Sequence, residues 1–316
     1  DLFGELRCDY DIEQLASALI CEGPDASTRE WRAYARTFLS AVVRGCRRRG
    51  VCSLSQLWRL LAVASPQQLQ PIVRDTPAQP FLDPDNARMF ASVRAVTASA
   101  LGALEYIEAQ RAAPLSVRDW VRQGHGVLFI PYRAGQIAAL RSLIAAWVRL
   151  AIFEAMDGVE DVDQRLWFIV DELDALGAIE GLKDALARLR KFGGRCVLGL
   201  QSIAQVSSTY GQGEAQTIIE NCGNTLILRC AGSEHGGTSR FASRLIGERE
   251  VVRPQRARTR ERRGPLLSSG RRSVQVSEQQ MVEPAVLASE LEQLPDLAGY
   301  LKTASSGQWQ RVRLAR

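Results

Sequence analysis

The sequence predicts an α/β protein in which an all-helical part comes ahead of a parallel-sheet part. Three observations carry that prediction. Apolar residues recur at helical spacing up to about residue 112. After Pro114 the pattern changes to short, continuous apolar runs that alternate with helical stretches. Two of those runs end in polar residues of the kind that parallel sheets present at the carboxyl ends of their strands.

The helical part is expected over residues 11–112, after a short lead of residues 1–10. Ile12, Leu15, Ala16 and Leu19 share one helix face, as do Trp31, Tyr34, Ala35, Phe38, Leu39 and Val42. Ser53 is a natural N-cap for a helix carrying Leu54, Leu57, Leu60 and Leu61. Five prolines from Pro66 to Pro84 predict a loop with at most short turns, and a long helix should follow from Pro84 or Asp85 to Gln110.

Residues 113–316 read differently. Strands are expected at residues 127–130 (VLFI), 166–170 (LWFIV), 196–200 (CVLGL) and 225–228 (TLIL). Helices are expected over residues 136–156 and 179–192, with helical segments up to Cys222. Apolar runs without alternation predict strands covered on both faces. Strand, helix and strand in series predict right-handed crossovers and a parallel sheet. Residues 253–277, rich in Arg, Gly and Ser, should form a loop or hairpin. A last helix over residues 284–293 and a strand over residues 309–314 complete the reading.

Composition narrows the function classes. With 316 residues, 46% of them hydrophobic and 24% charged, the chain can bury one large core or two modest ones. No apolar run approaches the ~20 residues that span a bilayer. The best candidate, residues 137–153, is interrupted by Arg141 and Arg149 and reads as a buried helix. The chain opens Asp1-Leu2-Phe3, without a start methionine or a signal region, and so reads as a piece of a longer protein. Seven cysteines form no CxxC pair, and His125 and His235 have no His or Cys beside them, so no structural zinc site is expected. Cys196 and Cys230 read as buried, reduced thiols. The net charge of +5 is local: from Arg253 to Arg272 there are eight arginines against the single acid Glu261, and the rest of the chain is slightly negative.

Two strand ends carry candidate chemistry. The apolar run 166–170 delivers Asp171 and Glu172 side by side at its exit. Adjacent residues point in different directions, so Asp171 could hold Mg²⁺ through its waters while Glu172 orients or deprotonates an attacking water. Acids also end buried strands simply because the chain returns to solvent. Gln201, after the run 196–200, could hydrogen-bond a γ-phosphate or its water, or be a surface amide. Arg188, Arg190 and Lys191 ahead of Gly193-Gly194 suit a helix C-terminus. In a ring, one of these arginines could instead reach a neighbouring subunit's site. A complete triphosphate site also needs G-x-x-x-x-G-K-[ST], and none of the three lysines (Lys183, Lys191, Lys302) follows a glycine or precedes Ser or Thr.

Several stretches, in this order and spacing, resemble the TraD/TrwB-type family of conjugative coupling proteins, within the FtsK/HerA-like hexameric DNA pumps. They are residues 116–120 (SVRDW), 166–176, 190–194 (RKFGG), 201–205 (QSIAQ) with Tyr210-Gly211, 239–247 (SRFASRLIG) and 294–300 (LPDLAGY). The resemblance implies a RecA-like motor domain with an inserted all-α domain, its Walker A loop and membrane helices upstream of Asp1. It makes Asp171 and Glu172 the Walker B pair, Gln201 the glutamine of the neighbouring strand and Arg190 a trans-acting arginine. ATP and Mg²⁺ are the implied cofactors, dependent on the missing upstream part. A homo-hexamer at the cytoplasmic face of the bacterial inner membrane is implied, with single-stranded DNA, a relaxase and a type IV secretion channel as partners.

DNA contact through backbone charge is expected from Arg253, Arg256, Arg258, Arg260, Arg262 and Arg263, and from Arg47 and Arg48. Arg47 and Arg48 also suit a helix end, and an arginine-rich loop can simply be solvated. Two other functions stay open: a chromosome or packaging DNA pump of the same motor group, and a catalytically incomplete module that docks relaxosome proteins.

Overall fold

The computed structural model describes residues 2–22, 25–51, 53–109, 115–163, 165–232, 237–260 and 272–315. Contacts divide the chain into two compact units: Asp1–Leu200 with Val206–Asn221, and Gln201–Gln205 with Cys222–Arg316.

The first unit begins with five helices: α1 (Asp9–Leu19), α2 (Ala26–Arg48), α3 (Leu54–Ala62), α4 (Pro66–Val73) and α5 (Ala87–Ala100). Their starts are capped as the sequence invites. Asp25 accepts the Thr28 N–H at 2.9 Å, and Ser53 accepts that of Gln56 at 3.4 Å. The stretch read as a loop from Pro66 is in fact α4. Pro66 sits in its first turn, where no N–H is needed, and Ser65 and Gln68 form a capping box. The long helix expected to Gln110 ends at Ala100 and gives way to a 3₁₀ helix over Gly102–Ala109; Gln110 lies outside the described residues. Ile12, Phe38, Leu39, Leu57, Leu61 and Val93 form the centre of this helical core, which also takes in Leu2 and Leu6.

Two further helices, α6 (Val117–Gln123) and α7 (Ile137–Met156), lead to the sheet. Helix α7 is apolar on nearly every side because it is shared. Leu143, Ala146 and Leu150 join the helical core, while Ile144, Ala145 and Ile152 join the core under the sheet. No helix among the described residues is long and apolar enough to cross a membrane. Glu154 on α7 is buried and answers Arg7, Arg118 and Arg122. Arg118 also pairs with buried Asp11 at 3.0 Å. Burial alone would raise the Asp11 carboxyl, but the N–H groups of Cys8 and Arg7 and the charge of Arg118 hold it below the usual carboxylate range. Glu5, also buried, accepts the Val117 N–H and so caps α6.

Strands β1 (Leu166–Val170) and β2 (Gly194–Leu198) pair in parallel, Leu166 opposite Gly194 through Val170 opposite Leu198. Between them run a 3₁₀ turn (Asp174–Leu176), α8 (Leu182–Arg188) and a second 3₁₀ turn (Leu189–Phe192). The expected crossover is therefore present, with its helix starting later than residue 179. The expectation that both strand faces are covered fails. Trp167 and Ile169 on β1, and Val197 on β2, are exposed. Residues 127–130 form no strand, for they pair with no strand among the described residues, and Val127 and Phe129 are exposed too.

Helix α9 (Ile203–Tyr210) begins in the second unit and ends in the first, where α10 (Gln212–Glu220) follows. The second unit contains β3 (Thr225–Ile227), α11 (Gly237–Ile246), β4 (Glu248–Arg260), β5 (Arg272–Pro284), α12 (Ala288–Glu292), β6 (Ala298–Lys302) and β7 (Trp309–Arg313). Here β3 departs from the parallel expectation and pairs antiparallel with β6, which pairs with β7. The last helix is shorter than residues 284–293, and β6 lies in a stretch not read as a strand. The stretches 239–247 and 294–300 meet in a small core of Ala242, Val286, Leu291 and Leu294, with Tyr300 packed against it. Ser239 donates to Glu292 at 2.8 Å and Ser243 to the Val286 carbonyl at 2.6 Å.

Candidate functional site

Five apolar residues form β1 because the core under the sheet takes Phe168 and Val170. The strand then releases Asp171, which is exposed, and Glu172, which is half-buried. Hydrogen bonding continues past both strands. The Gly199 N–H donates to the Val170 carbonyl at 2.7 Å, and the Leu173 N–H donates to the Gly199 carbonyl at 3.0 Å. The acid pair is thus clasped between two bonds to one residue of the neighbouring strand end. Glycine is required there, since a Cβ at Gly199 would collide with the Asp171 carbonyl oxygen. Sequence reasoning passed over Gly199; the signal was a glycine inside an otherwise apolar strand, which marks close backbone approach.

The loop after the acids is held from several sides. Leu173 is fully buried. Arg141 of α7 donates to the Ala175 carbonyl at 2.9 Å. Gly177 turns the chain at φ 71°, a conformation that side chains resist. The Tyr210 hydroxyl accepts the Ile179 N–H at 3.2 Å and donates to the Gly177 carbonyl at 3.3 Å. Asp171 and Glu172 line a cavity of about 260 Å³ whose walls include Trp120, Ile130, Tyr132 and Trp147.

The acid pair suits a hard cation that keeps most of its waters. It offers two adjacent carboxylates, and no cluster of three or more His, Cys, Asp or Glu that could hold a metal occurs among the described residues. Such an ion would complete its shell with water and phosphate oxygens.

Arg190 lies in the 3₁₀ turn Leu189–Phe192, exposed, and its guanidinium makes no ion pair among the described residues. Gly193 caps that turn at φ 75°, its N–H reaching the carbonyls of Arg190 and Leu189. Gln201 is exposed, two residues beyond Gly199, and belongs to the second unit. Next to it the Ile203 N–H donates to the Thr238 hydroxyl at 3.3 Å.

The expected hairpin is present as the antiparallel ribbon β4–β5, 13 residues on each strand. Arg256, Arg258 and Arg260 hold alternate positions, hence one face of the ribbon, and Arg260 stands opposite Arg272 in the register. Arg253 falls on the other face. It pairs with Glu283 at 2.6 Å, and Glu283 also meets Arg249 at 3.0 Å. Arg262 and Arg263 lie outside the described residues. Arg47 donates to the Arg7 carbonyl at 2.7 Å and faces Asp9 at 3.6 Å, while Arg48 donates to the Arg74 carbonyl at 3.3 Å.

Comparison with known proteins decides the family. Residues 1–315 match the model of the type IV secretion-system coupling protein DNA-binding domain (TrwB_AAD_bind). The chain belongs to this family. Coupling protein TraD of Escherichia coli K12 is 28% identical over 311 residues, which is 95% of this chain and 42% of TraD. Conjugal transfer protein TraG of Escherichia coli is 26% identical over 166 residues, half of this chain and 26% of TraG. The chain therefore spans less than half the length of these two relatives. Solved coupling-protein structures match all of it. Bacterial conjugative coupling protein TrwBdeltaN70 superimposes with a TM-score of 0.83 at 28% identity, and this chain covers 70% of it. TrwB in complex with ADP and Mg²⁺ gives 0.83 at 27% identity, again over 70% of that chain. The α/β class, with a RecA-like sheet and an all-α part, is thus that of the coupling proteins.

Proposed function

We propose that this chain forms part of an ATP-driven coupling protein that moves single-stranded DNA and its attached relaxase to a type IV secretion channel. The observation that carries this reading is the acid pair Asp171–Glu172, clasped to the end of β2 through Gly199. Bound Mg²⁺-ATP would supply a phosphoryl group activated for transfer to water. Asp171 would hold the ion through its waters, and Glu172 would orient the attacking water and take its proton. Gln201 would hydrogen-bond the γ-phosphate or that water. Arg190, exposed and unpaired among the described residues, would reach the site of the next subunit in a homo-hexameric ring. The three lysines lie outside any G-x-x-x-x-G-K-[ST] context, so the phosphates would be cradled by residues other than these 316.

The same reading takes residues 11–112 as the inserted all-α domain, between motor segments 1–10 and 113–316, at the cytoplasmic face of the inner membrane. DNA would be held without base readout by Arg256, Arg258 and Arg260 on one ribbon face, with Arg253, Arg262 and Arg263 adding charge. Arg47 and Arg48 are already engaged by backbone carbonyls and Asp9, so their contribution to DNA would be smaller.

The test uses the protein expressed with whatever precedes Asp1 in its native reading frame. Glu172→Gln should abolish DNA-stimulated ATP hydrolysis while nucleotide still binds; hydrolysis at the wild-type rate would overturn the assignment. Replacing Arg253, Arg256, Arg258 and Arg260 by Ser should lower both DNA affinity and its dependence on salt. An unchanged salt slope would remove the ribbon from the DNA path.

A further inference from the structure

The loop that leaves the acid pair is anchored at its far end by one side chain that the catalytic reading does not use. Tyr210 is the last residue of α9. Its hydroxyl sits between two backbone groups of that loop, accepting from Ile179 and donating to Gly177. The bond to Gly177 requires the phenol to keep its proton, because there it is the donor, while the bond from Ile179 uses an oxygen lone pair. Burial pushes Tyr210 up to about 12, against the smaller opposing effect of the Ile179 N–H, so the proton stays at any physiological pH.

What the phenol holds is well placed to matter. Gly177, at φ 71°, is where the loop turns, and Ile179 is buried in the core under the sheet. At the loop's other end, Leu173 is bonded to Gly199. Between these two anchors lie the 3₁₀ turn Asp174–Leu176 and the Arg141 bond to Ala175. The acid pair stands at the start of a short segment tied at both ends.

We propose that Tyr210 is a positioning residue for hydrolysis: by fixing Gly177 and Ile179 it sets the orientation in which Glu172 meets the attacking water. This rests on the reading of Asp171 and Glu172 as the hydrolytic pair. Tyr210 touches neither nucleotide nor water in this scheme and acts only through the loop.

The experiment is Tyr210→Phe, which keeps the ring and removes only the two hydrogen bonds, in the protein expressed in its native reading frame. DNA-stimulated ATP hydrolysis should show kcat reduced about tenfold with KM for ATP unchanged, the mark of misplaced catalytic groups rather than lost binding. Amide hydrogen exchange should quicken at Ile179 and along residues 173–179 and stay unchanged in the helical core. A wild-type kcat in the variant, or a fall in kcat matched by loss of protection across the whole fold, would overturn the positioning role. If the wild-type protein itself hydrolyses no ATP with DNA present, the hydrolytic reading fails, and this inference fails with it.

Discussion

In the helical part, Phe38, Leu39, Leu57 and Leu61 are at most 1% exposed, whereas on β1 Trp167 and Ile169 are 54% and 72% exposed. Both sets come from comparably apolar stretches of sequence. The difference lies in what each element needs from its surroundings. A helix satisfies its own backbone and buries one stripe, so the first five helices close a core with one side of α7 and the lead residues Leu2 and Leu6. A parallel strand has two faces, and here only one is covered: Phe168 and Val170 pack on the core beneath the sheet. No element among the described residues closes the other face, where Val197 is also exposed. An apolar run therefore marks a strand, but does not say how many of its faces are covered or by which part of the sequence.

That contrast can be broken by substitution. The largest effect should come from Phe38→Ala. Phe38 is fully buried and stacks edge-on against Phe90 at 5.3 Å between ring centres. Removing it should cost about 3–5 kcal/mol in urea unfolding of this chain, as for other buried aromatics. A loss below 1 kcal/mol would mean that the helical core is not closed. The smallest effect should come from Ile169→Ser, which removes an apolar side chain already facing solvent. It should change the stability of this chain by no more than about 0.5 kcal/mol. The same substitution costing several times more in a longer form of the protein would identify that face as one covered there. Equal, small effects in both forms would mean that it stays open.

The candidate site was legible in part. The acid pair could be read from residues 166–172 because strand apolarity and an exit acid are consecutive in the chain. Gly199 and Tyr210 could not be assigned the same way. Gly199 matters because its backbone bonds to Val170 and Leu173, 29 and 26 residues back, and Tyr210 because it reaches Gly177 and Ile179, 33 and 31 residues back. The hairpin was legible from composition, and the spacing of Arg256, Arg258 and Arg260 already puts them on one face of it, but its register was not legible, and the register decides that Arg249 stands opposite Glu283, which also holds Arg253. The reading of residues 66–84 as a loop with at most short turns holds after Val73, where only 3₁₀ turns occur, but erred at its start, because counting prolines ignored that Pro66, behind a Ser65 cap, starts a helix rather than breaking one.

By itself the sequence determined the α/β class, the helical part ahead of the sheet, the parallel crossover from residue 166 to residue 198 and the acids at its exit. These follow from hydrophobic periodicity and from which residue ends each run, both properties of neighbouring residues. The tertiary structure alone decided that β3 turns antiparallel against β6 and that, among the described residues, 127–130 pair with no strand and one face of β1 is open. It also decided the ties that hold the acid pair in place. The reason is physical: a strand's neighbour and a loop's anchors are contacts between residues far apart in sequence, and no local pattern encodes a partner.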